Sequence, residues 1–280
     1  MMAESGLLSM ARAAVGALPF IPRGDRLPDR APAVAEVPIA RADVAAYAAA
    51  TGLRYGDNVP LTYSFVLTFP TVMSLLAAFD FPFPALGAVH VENHITSHRP
   101  IAVTDTVTAT VHAENLREHR KGLLVDFVSA VSVGSDPAWQ QVSTFLHQQR
   151  TSLSGEPKPE PGPQPKLPAP KTVLRISPGR IRRYAAVSGD RNPIHTSALG
   201  ARLFGFPAAI AHGMFSAAAV LANIEGQLPE AVRYSVKFGK PVILPAAPGV
   251  FIDRVPGGWD IALRNLAKGY PHLTATVRAR

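Results

Sequence analysis

The 280-residue chain contains no cysteine, which excludes disulfides, thiolate metal sites and a cysteine nucleophile together. Chemistry must then come from Asp, Glu, His, Ser, Tyr or Lys. Long apolar runs are also missing: none approaches the ~18–20 residues needed to cross a bilayer, so no transmembrane segment is expected. Charged residues are scarce at 17% against 47% hydrophobic, a balance that excludes a wholly disordered chain. Blocks of like charge are absent, and the basic residues are scattered, as in "LREHRKG" and "RIRRYAA". A nucleic-acid surface would show denser clustering or a motif, so no nucleic-acid partner is expected. The first stretch, "MMAESGLLSMARAAVGALPFIPRG", lacks the basic start and unbroken apolar run of a secretion signal, since Glu4 and Arg12 interrupt them. The expected location is the cytoplasm.

What is present begins with charge. Lys plus Arg exceeds Asp plus Glu by eight, which favours acidic or phosphorylated partners without choosing among them. The length suits one large or two ordinary domains. Between Ser154 and Lys171 the chain reads "SGEPKPEPGPQPKLPAPK", with seven prolines from Pro157 to Pro170. Proline fixes φ and lacks an N–H donor, so the stretch reads as a semi-rigid, extended spacer. The division that follows is an extension over 1–30, a first domain over 31–153, the spacer over 154–171 and a second domain over 172–280.

The two domains read as diverged copies. "VAAYAAATGLRYG" (Val44 to Gly56) parallels "IRRYAAVSGDRNP" (Ile181 to Pro193), matching Tyr47 to Tyr184 and Gly52 to Gly189. Met73 to Pro100 then lies against Met214 to Pro241 without a gap, and Arg99-Pro100 meets Lys240-Pro241. On this alignment Leu53 stands where the second copy has Asp190, and Thr71-Val72 stand where it has His212-Gly213. The intervening loop of the first copy, "LRYGDNVPLTY", is about four residues shorter and holds no histidine.

In the second copy, Ser177-Pro178 reads as an N-cap with proline at the first helical position, opening a helix that runs through Val187 and stops at Gly189. "DRNPIH" carries turn chemistry. A short helix follows around Ser197 to Phe204, and a helix apolar on nearly every side lies within "AHGMFSAAAVLANIEG". From Val232 the pattern has period two, with Val232, Tyr234, Val236 and Phe238 on one side, as in a half-buried strand. Strands separated by glycine-containing breaks end both copies. Each is therefore α+β, with a buried helix against an antiparallel meander.

"YAAVSGDRNPIH" followed by "FPAAIAHGM" resembles the signature of the R-specific enoyl-CoA hydratases and MaoC-like dehydratases. The resemblance covers the second copy, and the degenerate first copy fits the double-hot-dog members, over most of the length those of actinobacterial 3-hydroxyacyl-thioester dehydratases. It implies a hot-dog fold in each half, a long helix wrapped by a curved sheet. It also implies (3R)-hydroxyacyl-thioester dehydration or 2-enoyl-thioester hydration on coenzyme A or an acyl carrier protein in fatty-acid metabolism, with water as the only co-reactant and no cofactor. Carried over by position, Asp190 and His195 hold and activate one water, Asn192 fixes the loop, and the Gly213 amide receives the thioester oxygen. The degenerate half opens space for a long acyl chain.

Other readings stand beside these. Taken alone, Asp190 and His195 also fit a capping loop with a satisfied histidine. His212 either orients the helix start or substrate, or is structural, and Tyr184 either packs beneath the loop or contacts substrate. Lys237, Lys240 and Arg202 are candidates for a coenzyme A phosphate or an acidic carrier, and equally fit a solvated surface. No third ligand falls at a characteristic spacing, so no metal is expected. A hot-dog thioesterase and a non-catalytic acyl-thioester-binding module are the rival functions. A homodimer is compatible with the chain.

Overall fold

A computed structural model describes residues 23–155 and 167–280. The expectations for the N-terminal stretch and for the core of the proline-rich spacer fall on residues 1–22 and 156–166, outside the described residues.

The first copy runs β1 (Ala33–Pro38), α1 (Arg41–Thr51), α2 (Tyr63–Leu76), β2 (Ala88–Ser97), β3 (Thr106–His119), β4 (Gly122–Val133) and β5 (Asp136–Gln148). The second runs β6 (Thr172–Val173), α3 (Pro178–Ser188), α4 (Pro193–Thr196), α5 (Ala198–Leu203), α6 (Gly213–Leu221), β7 (Val232–Phe238), β8 (Gly249–Val255), β9 (Gly258–Arg264) and β10 (Pro271–Ala279). The ten strands among the described residues form one antiparallel sheet in the order β1-β3-β4-β5-β2-β7-β10-β9-β8-β6. Read from its centre outward, the order of one half repeats that of the other. The copies therefore join along the β2–β7 seam, and each wraps its own helix in the hot-dog manner.

The seam register supports the gapless alignment of the strands. Where two copies meet about an approximate twofold axis, equivalent residues must face each other at the axis. His94 faces Ser235 there, and these two stand at the same separation in sequence as Met73 and Met214. The helix pair is also related in the same way. Gly52 closes α1 and Gly189 closes α3, both left-handed, with φ of 88° and 75°. An L side chain is strained in that region, which is why both helices stop at glycine. Tyr47 and Tyr184 are fully buried against each other, ring centroids 5.8 Å apart.

At the buried helices the gapless alignment fails. The N-cap of α2 is Thr62 and that of α6 is His212, so the counterparts of His212-Gly213 are Thr62-Tyr63 rather than Thr71-Val72. The first copy reaches its buried helix sooner and makes it longer, 14 residues against 9. The second spends the difference between Gly189 and His212 on α4 and α5, so the loop difference is far larger than four residues. An ungapped comparison could not see two compensating length changes.

One apolar core spans both copies, with Val44, Ile95, Ile181, Phe215 and Val236 among its buried members. A second cluster belongs to the first copy alone and gathers Val72, Leu76, Phe81, Phe83, Phe127 and Phe145 under the far end of α2. Between α2 and the loop that follows α3 in the second copy the packing leaves an open volume.

Candidate active site

The loop that follows α3 is built from short-range polar bonds. Asp190 Oδ1 accepts from the Asn192 amide at 3.3 Å, and Asn192 Oδ1 accepts from the Ile194 amide at 3.2 Å. With Pro193 at its first position, Asn192 thereby caps a single helical turn, α4, where the sequence had suggested only a turn. That turn carries His195 back toward Asp190. The Ile210 amide bonds the Ile194 carbonyl at 3.0 Å and fixes the returning chain beside it.

His195 Nδ1 lies 2.9 Å from the Ile210 carbonyl oxygen. A carbonyl only accepts, so Nδ1 carries a proton, and in the neutral imidazole Nε2 has the lone pair. Nε2 stands 4.0 Å from Asp190 Oδ2. This is too long for a direct hydrogen bond, yet one water oxygen at about 2.8 Å from each atom closes the gap. His212 is held the other way round: its Nε2 donates to the Asp190 carbonyl at 2.9 Å and lies 3.8 Å from Oδ2. Burial and the neighbouring His195 push its pKa down to about 3, against the opposing pull of Asp190, so it is neutral near pH 7.

Three possible ligand atoms, from Asp190, His195 and His212, fall within 4.8 Å of one another. The expectation that no third ligand joins the pair is thus corrected by tertiary folding, which spacing in sequence does not report. As arranged, the His212 nitrogen on that side is occupied by its proton. The trio therefore presents a cation with one imidazole lone pair and one carboxylate, a poor cage.

Gly213 opens α6 directly after His212, so its amide has no acceptor within the helix. A Cβ at this position would lie 3.0 Å from the Phe238 ring, and glycine lets that ring sit flush on the backbone. Tyr184 lies below, its ring 5.0 Å from that of His212 and its hydroxyl buried without a protein partner.

A cavity of about 890 Å³ runs from these groups into the first copy. Asp190, Asn192, His195, His212, Gly213 and Tyr184 all line it. Its walls on the other side are Phe65, Phe69 and Met73 of α2, Val89 and His90 of β2 and Phe145 of β5. Of the three candidate cations, Lys240 lines the cavity, with Nζ 4.5 Å from the Tyr270 ring centre. Lys237 and Arg202 do not. Lys237 is largely exposed on β7 and pairs with Glu92 at 3.3 Å, and Arg202 sits on the outer side of α5. Lys121 and Arg191 line the cavity and had not been singled out. Neither had His90, which is half-buried, stacked 4.7 Å from Phe145, and lowered by desolvation to a pKa of about 4.

Comparison with known proteins agrees with this picture. The MaoC like domain model matches residues 157–255. The "3-hydroxyacyl-thioester dehydratase X" of Mycobacterium tuberculosis is 69% identical over 274 residues, 98% of each chain. The crystal structure of HtdX from Mycobacterium tuberculosis superposes with a TM-score of 0.81 at 68% identity, over 88% of this chain and 99% of that one. A MaoC-like dehydratase from Phytophthora capsici shares the fold at a TM-score of 0.74 and 18% identity, over 91% and 97% of the two chains. Identity near seventy per cent over almost the whole of both sequences leaves no room for a different assignment: this chain belongs to the MaoC-like dehydratase family.

Proposed function

We propose that the protein is a (3R)-3-hydroxyacyl-thioester dehydratase of fatty-acid metabolism that also runs in reverse as a 2-enoyl-thioester hydratase, with Asp190 and His195 as its acid–base pair. The observation that carries this reading is the placement of the His195 ring between the Ile210 carbonyl and Asp190. Its Nδ1–H is spent on the Ile210 carbonyl, which turns a free Nε2 lone pair toward Asp190 across a gap of one water.

In the hydration direction, the water between the two groups gives a proton to the pair as its oxygen bonds to C3. The C2=C3 π electrons shift onto the thioester, where the Gly213 amide at the start of α6 receives the developing oxyanion. The pair then returns a proton to C2. Dehydration retraces these steps: C2 loses a proton, the C3–O bond breaks, and the departing hydroxide leaves as water. One backbone donor of this kind is worth roughly 2.7–4 kcal/mol of barrier in a studied hydrolase, so Gly213 rivals the acid–base pair in weight. The aliphatic chain of the substrate then lies along the walls given by Phe65, Phe69 and Met73. Water is the only co-reactant this chemistry uses.

No helix among the described residues is long and apolar enough to cross a membrane. A cytoplasmic enzyme is the reading that the cysteine-free composition supports.

Hydration of 2-octenoyl-CoA tests the assignment. Asp190→Asn and His195→Gln should each lower kcat by about 10²–10⁴ with a smaller effect on KM. Unchanged hydration in both variants would exclude the assigned pair, and release of free thiol in place of enoyl loss would mark a thioesterase.

A further inference from the structure

The helix α5 is amphipathic in the wrong sense for a surface helix. Its inner face is Gly200 and Ala201, both buried, and its outer face carries Leu199 and Leu203, four residues apart on one side, 69% and 78% exposed. Phe204 follows at 38%. A helix stabilised only by its own protein would place the leucines inward. Here the inner side is too close for them: a Cβ at Gly200 would lie 2.6 Å from Pro193 Cβ, so α5 is packed flush on α4, the turn that carries His195. Ser197 caps α5 by accepting the Gly200 amide, which fixes the direction of its outer face.

This apolar face adjoins the way into the site. Phe204 and Phe206 line a recess with Asn192, Ile194, Leu86 and Gln148, and several of these residues also line the main cavity. Arg202 stands on the same helix, Arg191 is exposed beside Asp190, and Lys121 and Lys240 line the cavity beyond. Among the described residues no salt bridge engages any of these four cations. An apolar centre flanked by unneutralised cations at a cavity entrance has the composition of a recognition surface.

We propose that α5 is the docking face for a small acidic carrier protein that presents the acyl group on a phosphopantetheine arm. This rests on the dehydratase reading above and names the partner of that same site. Coenzyme A would use the cations but has no use for two exposed leucines, because its outer end is a polar nucleotide. A folded acidic partner uses both: carboxylates face Arg191 and Arg202, and its apolar residues cover Leu199 and Leu203. The arm then enters past Phe204 and Phe206 toward Asp190.

The test compares one 2-octenoyl group on two carriers, coenzyme A and a bacterial acyl carrier protein, with the full-length protein. In Leu199→Ser/Leu203→Ser, kcat/KM for the protein-borne group should fall at least about tenfold, 1.4 kcal/mol of binding, while kcat/KM for the CoA thioester stays within about twofold. The protein-borne reaction should also weaken more steeply than the CoA reaction as salt is raised. Equal losses on both carriers, no loss on either, or a wild-type protein that hydrates only the CoA thioester would overturn the proposal. So would a shift from dimer to monomer by light scattering in the variant, which would make α5 a face between copies. Binding to anionic vesicles that the variant loses, with carrier kinetics unchanged, would assign the face to a membrane and overturn it too. A wild-type protein inactive on both thioesters would instead remove the dehydratase reading itself.

Discussion

The imidazole of His195 lies over that of His212, ring centroids 3.8 Å apart and planes tilted by 30°. Two rings this close cannot both be charged without strong repulsion. The fold keeps His212 uncharged by burying it and directing its Nε2–H to the Asp190 backbone carbonyl. His195 then faces Asp190 across the cavity with a lone pair available. His212 thus anchors the Asp190 backbone and stands as a neutral plate behind His195.

This arrangement has a consequence for acid stability. The unfolded chain takes up a proton at His212 near pH 6.5, whereas the folded protein resists it down to about pH 3. Its contribution is therefore complete above the unfolded value and is lost as pH falls from about 6.5 toward 3. His90, depressed to about 4 by burial, adds to the same slope. Urea midpoints measured from pH 7 to pH 4.5 should decline, and His212→Gln, which keeps a donor at the Nε2 position, should remove up to about 1.4 kcal/mol per pH unit of that decline. An identical slope in wild type and variant would mean that His212 is protonated in the folded state.

A methyl group at Gly213 is predicted to damage catalysis more than stability. The Cβ would stand 3.0–3.2 Å from three atoms of the Phe238 ring, which is itself held 5.0 Å from His90. Either the ring or the start of α6 must move, and the amide moves with the latter. We expect Gly213→Ala to lower kcat about ten- to a hundredfold, part of the value of one oxyanion donor, with KM nearly unchanged because the interaction strengthens in the transition state. Adding Phe238→Leu, which makes room, should recover a measurable share of kcat. If the double variant is as slow as the product of the two single losses predicts, ring and glycine are uncoupled.

Much of this was legible in the chain because it rests on local chemistry. Ser177-Pro178 and Gly189 bound α3 as cap and stop, and "SGDRNPIH" puts Asp190, Asn192 and His195 on one bonded loop. The period-two run from Val232 put Phe238 on the inner side of β7, where it meets Gly213. Beyond reach was whatever depends on two segments meeting. His90 and Lys121 carry no local signal, because it is the β2–β7 seam and the β3–β4 hairpin that bring them to the cavity. His212 was visible as a residue, but its bond to the Asp190 carbonyl was not. The true helix start of the first copy, Thr62, was hidden by length changes that cancel in an ungapped comparison. That correction gives the degenerate copy a physical description: Thr62 takes the place of the histidine and accepts the Tyr47 hydroxyl at 2.9 Å, while Tyr63 replaces the glycine. The framework is retained with its donors turned inward.

The last prediction concerns how the copies are held together away from the sheet. Arg180 on α3 reaches the final turn of α1, where Nε donates to the Ala50 carbonyl at 2.7 Å and Nη2 to the Thr51 carbonyl at 2.8 Å. These are carbonyls that a helix end leaves without donor partners, and a cation there also meets the negative end of the helix dipole. The guanidinium stands 5.1 Å from the Phe215 ring centre, so its removal would uncover apolar surface as well. On the alignment through Tyr47 and Tyr184, the counterpart of Arg180 is Asp43, so the strut runs in one direction only. Arg180→Ala should cost about 2 kcal/mol, close to the value of a hydrogen bond to a charged group in a half-exposed setting. Arg180→Lys should restore less than half of this, because one ammonium cannot reproduce two diverging donors. Urea midpoints of the three proteins decide it, and a lysine variant as stable as wild type would reduce Arg180 to a simple charge at the helix end.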